Sequence, residues 1–382
     1  MSVQSVQALI STQSTQSTQS TQSTQGLEGA GNTNPLLSSA LAASHDGIVG
    51  TEMLDTGAIA GRLELMRTAR ESHLSKMSDD AHLPRLPAAH YALQSLIGGL
   101  LQTVYVEADA THASVRPRLK ADAKAASDPF SITPLVALEM PDIADFAAQL
   151  PFLRSYGDLR DERMPEILVQ LGDITSFFGA IDQLDATHTP NTLLLLHAAS
   201  GFAGTITQRI KLAFDAPRPV AFSPRLQPVI ATPSHASLPS GHATEAFLLA
   251  GILTLLRSGS VVRSAADMEH RFRLASRVAI NRTVAGVHYP IDSGAGAVLG
   301  MALAEHLWAV AGHGDAGQWT FAGPSWNNSD FHQGIVADLI ERAAIKGAKP
   351  VARANSDETR ATDDLWTRLW HSAQAEMLQD GG

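Results

Sequence analysis

Three apolar runs constrain this chain more than any other feature: residues 191–206, 245–256 and 294–311. Each is too short for a bilayer or is interrupted by groups such as His197, Glu305 and His306. They are expected to be helices that bury one another, not membrane spans. Ala and Leu dominate and aromatic residues are only 5%, which favours helix over sheet. With 44% hydrophobic and 17% charged residues, the 382-residue chain can bury a large core. The expected fold class is mainly α, a helical bundle.

Prolines punctuate the bundle. Residues 89–119 read as an apolar helix and its exit, and residues 132–184 as two or three helices broken by Pro141, Pro151 and Pro165. A long helix starts at Thr189-Pro190, and a Pro-rich loop covers 217–239. A helix follows Ser240-Gly241-His242, a charged helix covers 264–285, and a Gly/Ala-rich helix follows Asp292. Residues 313–330 read as loop, and strand patterns are nearly absent. Residues 11–25 are five copies of Ser-Thr-Gln, which can bury nothing. The expected organisation is a disordered tail over 1–50, a helical domain over 51–345 with a motif core at 205–300, and a polar helical tail over 346–382. In that tail Trp366 and Trp370, spaced i, i+4, form a docking stripe.

Several function classes fall away. A net charge of −10 argues against broad nucleic-acid binding, so any anion site must be local. The absence of cysteine excludes disulfides and thiolate metal sites. The N-terminus lacks the basic start of a signal peptide, which makes the cytoplasm the expected compartment.

Three segments carry chemistry. Lys211 precedes Arg218-Pro219 across six residues, Pro239-Ser240-Gly241-His242 opens a helix, and Arg282, His288 and Asp292 follow in order. Arg offers a planar fork of donors to an oxyanion, and Lys a compact charge. A helix start presents main-chain N–H groups to an anion, and Gly241 lets that backbone come close. His242 stands there to move a proton. Asp292 can take the Nδ1 proton of His288 and leave Nε2 with a lone pair, able to attack phosphorus or ligate a metal oxyanion. Singly, each piece reads as a helix end, a cap or a surface pair; all three in this order read as one oxyanion cradle. His188 and His197 read as core or surface residues. His45, His73, His82, His90 and His112 show no ligand spacing, and Asn281-Arg282-Thr283 is an incidental glycosylation sequon. Phe214 reads as a pocket wall, and Arg225 and Glu245 as groups behind the cradle.

These residues resemble the signature of the type 2 phosphatidic acid phosphatase and vanadium haloperoxidase superfamily: Lys-x6-Arg-Pro, Pro-Ser-Gly-His and Ser-Arg-x5-His-x3-Asp. The one departure is Asn281, where the family usually has Ser. The resemblance covers about residues 205–300 and implies an α-helical bundle, in which such proteins often pair as dimers. It implies that Lys211, Arg218, Ser240, Gly241 and Arg282 hold the oxygens of vanadate or phosphate. His288 would be the axial residue, and the vanadium ligand if vanadate is bound. Asp292 would orient it, and His242 would be the acid/base.

Two activities follow from the resemblance. A haloperoxidase would bind vanadate and oxidise halide, bromide by preference, with hydrogen peroxide. A phosphatase would need no cofactor and would hydrolyse phosphate monoesters through a phosphohistidine on His288. His235, seven residues before His242, matches a histidine of algal-type bromoperoxidases, where chloroperoxidases carry an aromatic residue. The six-residue gap from Lys211 to Arg218 is instead shared by phosphatases and chloroperoxidases. A third reading is a phosphate-binding module without turnover, working through its tail or the Trp366/Trp370 helix. Substitution of His242 separates it from both enzymes.

Overall fold

The computed structural model describes residues 89–118 and 133–332 except 258, 268 and 327, together with 334, 336, 345–346 and 362–379. The Ser-Thr-Gln repeat, the expected tail over 1–50, and His45, His73 and His82 lie outside the described residues.

The architecture is mainly α, built around one helix, α8 (Gly241–Leu256), in which every residue is buried. A helix apolar on all faces can only lie at the centre of a bundle. Packed around it are α6 (Pro190–Phe214), α10 (His270–Val284) and α11 (Pro290–Val310). The closest partner is α11, also buried along nearly its whole length. Gly296 makes this approach possible, since a Cβ there would stand 2.6 Å from the carbonyl oxygen of Ser240. A Cβ on Gly300 would collide with the carbonyl of Thr244 in the same way. The outer layer consists of α1 (Ala89–Leu101), α2 (Ile143–Ala148), α3 (Leu150–Tyr156), α4 (Arg160–Val169), α5 (Thr175–Asp182), α7 (Pro219–Phe222), α9 (Val261–Ala266) and α12 (Thr362–Gln379). Among the described residues, no helix is long and apolar enough to cross a membrane.

The bundle also carries a five-stranded sheet, contrary to the near-absence of strands expected from the sequence. Strands β1 (Val104–Ala108), β2 (His112–Pro117) and β3 (Val136–Glu139) are antiparallel neighbours. β4 (Trp319–Ala322) runs parallel to β3, with Val136 opposite Trp319, and β5 (Ile345–Lys346) pairs antiparallel with β4. Over residues 89–118 the expected helix and its exit are therefore a helix plus a hairpin. The strands are four to six residues long over β1–β4, too short for period-two alternation to stand out beside an apolar helix. They form because distant segments supply the ladder partners. The segment expected to be loop over 313–330 contains β4 for the same reason.

The Trp366/Trp370 stripe docks on this chain's own core. Both rings are essentially inaccessible, at 1% and 0% exposure, so neither is offered to an outside partner. Trp366 Nε1 donates to the Leu307 carbonyl at 2.9 Å. Six residues beyond Trp370, Glu376 accepts from the main-chain N–H groups of Asn191 (3.0 Å) and Thr192 (2.8 Å), satisfying orphan donors at the start of α6.

Candidate active site

Three chain reversals bring the motif residues to one end of α8. The α6 helix ends where Asp215 takes a left-handed conformation at φ 46, one turn after Lys211. The following prolines cannot continue the helix, so Arg218 emerges in extended backbone ahead of α7. The loop then returns to Ser240, which caps α8; its Oγ accepts from Ala243 N at 3.4 Å. On the far side, α10 ends just past Arg282 and the chain turns at Gly286, φ 82, before His288. Tyr289 and Pro290 then open α11, which puts Asp292 in its first turn.

Asp292 is the anchor. Its Oδ2 accepts from His288 Nδ1 (2.8 Å), Ser237 Oγ (2.5 Å) and Tyr289 N (3.1 Å). Its main-chain carbonyl accepts from Ser240 N at 2.9 Å, so the Ser240 N–H is committed to α11. With Ala243 N on Ser240 Oγ and Thr244 N on the Ser240 carbonyl, the first-turn N–H groups left to meet an anion are those of Gly241 and His242. Since His288 Nδ1 donates to a carboxylate, its Nε2 is the lone-pair nitrogen, and Arg218 NH1 donates to it at 3.0 Å.

The three cations are all buried. Lys211 Nζ donates to the carbonyls of Ala236 and Ser237, each at 2.8 Å. Arg218 donates from Nε to His235 O (3.0 Å) and from NH1 to Val287 O (2.8 Å), and its NH2 lies 3.1 Å from His235 Nδ1, which is also 3.1 Å from the Ala236 carbonyl. Arg282 donates from NH2 to Ile167 O (3.2 Å) and Gln170 Oε1 (2.8 Å). Its Nε is buried without a hydrogen-bond partner. Among the described residues, none of the three forms an ion pair with a carboxylate. Buried cations without an ion pair are costly, and the Asp292 charge offsets only part of that cost for Lys211 and Arg218.

His242 faces the cradle from the first turn of α8. Its Nε2 lies 2.9 Å from the Gln170 carbonyl, which can only accept, and 3.3 Å from Arg282 NH1, which can only donate; the shorter contact puts the proton on Nε2 and the lone pair on Nδ1. Burial, then the Arg282 charge, hold its pKa well below the ordinary histidine value. His288 is lowered in the same sense by burial and by Arg218, and Lys211 by burial and by Arg218. Burial brings Arg218 down to about 10 and Arg282 to about 9, and pushes Asp292 up to about 6. Both imidazoles are thus neutral at neutral pH.

Residues 192–313 match the family model described as PAP2 superfamily. This stretch is similar to the PAP2 superfamily. No curated protein matches the chain. The matched segment holds all eight motif residues, Lys211, Arg218, Ser240, Gly241, His242, Arg282, His288 and Asp292, and the structure gathers them at one end of α8.

His235 is partly buried and joins the cluster through Arg218. Phe214 is packed in the main apolar core. Glu245 is buried one turn along α8 from His242, whereas Arg225 is exposed on a 3-10 turn away from it. His188 pairs with Asp185 at the surface, His197 Nδ1 donates to Leu193 O within α6, and His112 sits in the hairpin. Two residues of the site escaped the sequence reading. Ser237 lies inside the conspicuous loop, but no spacing rule singles it out. Gln170 caps α4 and opens the turn after it, outside the PAP2 match and outside every motif.

Proposed function

We propose that this protein is a vanadate-dependent haloperoxidase that oxidises bromide with hydrogen peroxide. The residues fit the oxyanion: three unpaired buried cations, the orphaned Arg282 Nε and the first-turn N–H groups of α8 form a donor set for its oxygens. Lys211, Arg218, Ser240, Gly241 and Arg282 would hold those oxygens, and His288 Nε2 would be the ligand. Bound vanadate would supply the Lewis acid that makes peroxide electrophilic toward halide. His242, neutral with its lone pair on Nδ1, accepts a proton from the entering peroxide. Asp292 keeps the His288 Nδ1 proton in place. Overall, bromide gives two electrons to peroxide, and with one proton the products are hypobromous acid and water.

The observation that favours this reading over hydrolysis is the contact of His235 Nδ1 with Arg218 NH2 at 3.1 Å. It puts a third imidazole, besides His242 and His288, beside the cradle, at the position where algal-type bromoperoxidases carry a histidine. A phosphatase reading keeps support from the Lys211-x6-Arg218 spacing. In that reaction His288 Nε2 attacks phosphorus as the P–O bond to the alcohol breaks, and His242 must first be charged to protonate the leaving oxygen. Water activated by His242 then releases phosphate.

The test divides one chelator-stripped sample and returns orthovanadate to half. Both halves are assayed for bromination of a dye with peroxide and bromide, and for hydrolysis of an aryl phosphate. Bromination that appears only with vanadate and is lost in His288→Ala is the expected result. Phosphate release that vanadate abolishes, without bromination, would replace it with the phosphatase.

A further inference from the structure

A buried carboxamide behind the cradle has no role in the family signature. Gln170 is wholly buried in the turn after α4. It touches both sides of the site. Its carbonyl receives His242 Nε2 at 2.9 Å, and its side-chain Oε1 accepts from Arg282 NH2 at 2.8 Å and from Asn281 Nδ2 at 3.1 Å.

These neighbours fix which way the amide points. Arg282 and Asn281 both offer donors, so the oxygen must face them and the nitrogen must turn away. Asn281 is itself fixed, since its Nδ2 also donates to Glu166 Oε2 at 3.0 Å and its Oδ1 accepts from Arg163 NH1 at 3.2 Å. Glu166 is held in turn by Arg277, whose Nε donates to it at 2.8 Å. The residue by which this chain departs from the family signature, Asn281, is therefore the one that grips Gln170. A serine hydroxyl, with a single proton, could not donate to Glu166 and Gln170 at once.

The result is a rigid amide with an unspent donor. Gln170 Nε2 is buried without a hydrogen-bond partner, and so is the neighbouring Arg282 Nε. The two groups are joined through the Arg282 NH2 to Gln170 Oε1 bond, and each has a buried N–H donor that lacks an acceptor.

We propose that Gln170 is a further oxyanion-binding residue of this site, donating from Nε2 to an oxygen of the bound vanadate or phosphate while its Oε1 positions Arg282. The inference rests on the oxyanion reading above, and holds whichever of the two reactions the site performs.

The test is calorimetric titration of the full chain with orthovanadate and, separately, inorganic phosphate. Gln170→Glu keeps an acceptor for Arg282 and Asn281 but loses the donor; Gln170→Met loses both. Both variants are expected to bind either anion roughly tenfold more weakly or worse, the loss of one charge-assisted hydrogen bond. Gln170→Glu binding like the parent would overturn the proposal and leave the cradle standing. No binding by the parent itself would overturn the oxyanion reading and this inference with it. If the variants do not fold, the parent decides: in nitrogen-15 spectra, one buried glutamine side-chain amide is expected to shift on adding phosphate. Glutamine amides that all stay unmoved at saturating phosphate would overturn the proposal.

Discussion

Asp292 directs three donors to a single carboxylate oxygen, Oδ2, while Oδ1 is buried without a partner. That asymmetry sets the job of His288, because the imidazole is held in one tautomer by an acceptor that cannot rotate. Asp292→Asn replaces Oδ2 with a group that can present a donor to Nδ1, and turnover should fall on the order of a hundredfold or more. Ser237→Ala leaves the carboxylate but removes its 2.5 Å partner, and a loss nearer tenfold is expected, read as kcat with circular dichroism unchanged. Equal losses in the two variants would mean that Ser237 matters as much as Asp292 itself. His242→Ala should abolish turnover yet leave vanadate binding within a few fold, because the anion is held mainly by the cations. Retained turnover in this variant would remove His242 from the mechanism.

At the scale of the element, the site depends on how closely α11 approaches α8. The Ser240 N–H to Asp292 carbonyl bond, 2.9 Å long, ties the two helix starts together. Gly300→Ala would push a methyl against the Thr244 carbonyl and is expected to cost about 1–3 kcal/mol in denaturant unfolding. Trp370→Ala empties a large buried volume under α12 and should cost about 3–5 kcal/mol. An unchanged midpoint in either variant would contradict the packing described. The helices were legible in the sequence because long apolar runs and prolines mark them: α6 begins at Pro190 and α11 at Pro290, where the prolines stand. The motif residues were legible because each lies at a fixed spacing on, or just outside the end of, one of those elements. The sheet was not, since Val136 and Trp319 pair across 182 intervening residues, a pairing that no local pattern records. Gln170 escaped for the same reason: its partners Arg282 and His242 are brought to it only by the fold.

For the molecule as a whole, folding buries histidines that resist protonation. His306 Nε2 donates to the Thr103 hydroxyl, and burial lowers its pKa from 6.5 to about 4. Its contribution to stability is therefore present above the unfolded pKa and is lost as pH falls from about 6.5 toward 4. Glu305, raised by burial, works in the opposite sense. Comparing the parent with His306→Gln isolates the histidine: between pH 6 and 4.5 the parent should lose up to about 1.4 kcal/mol per pH unit more than the variant. Parallel stability curves would mean that His306 is protonated in the folded state.

The net charge of −10 is spread over a molecule whose site concentrates three unpaired buried cations. That contrast makes the central claim directly measurable as the thermal unfolding of the full chain with and without orthovanadate. An anion that binds only the folded state at a hundred times its dissociation constant adds about 2.7 kcal/mol, a rise of several degrees. The account expects that rise in the parent and expects it to vanish in Arg218→Ala and Arg282→Ala. An unfolding temperature that stays fixed at millimolar vanadate, or rises equally in those two variants, would contradict it.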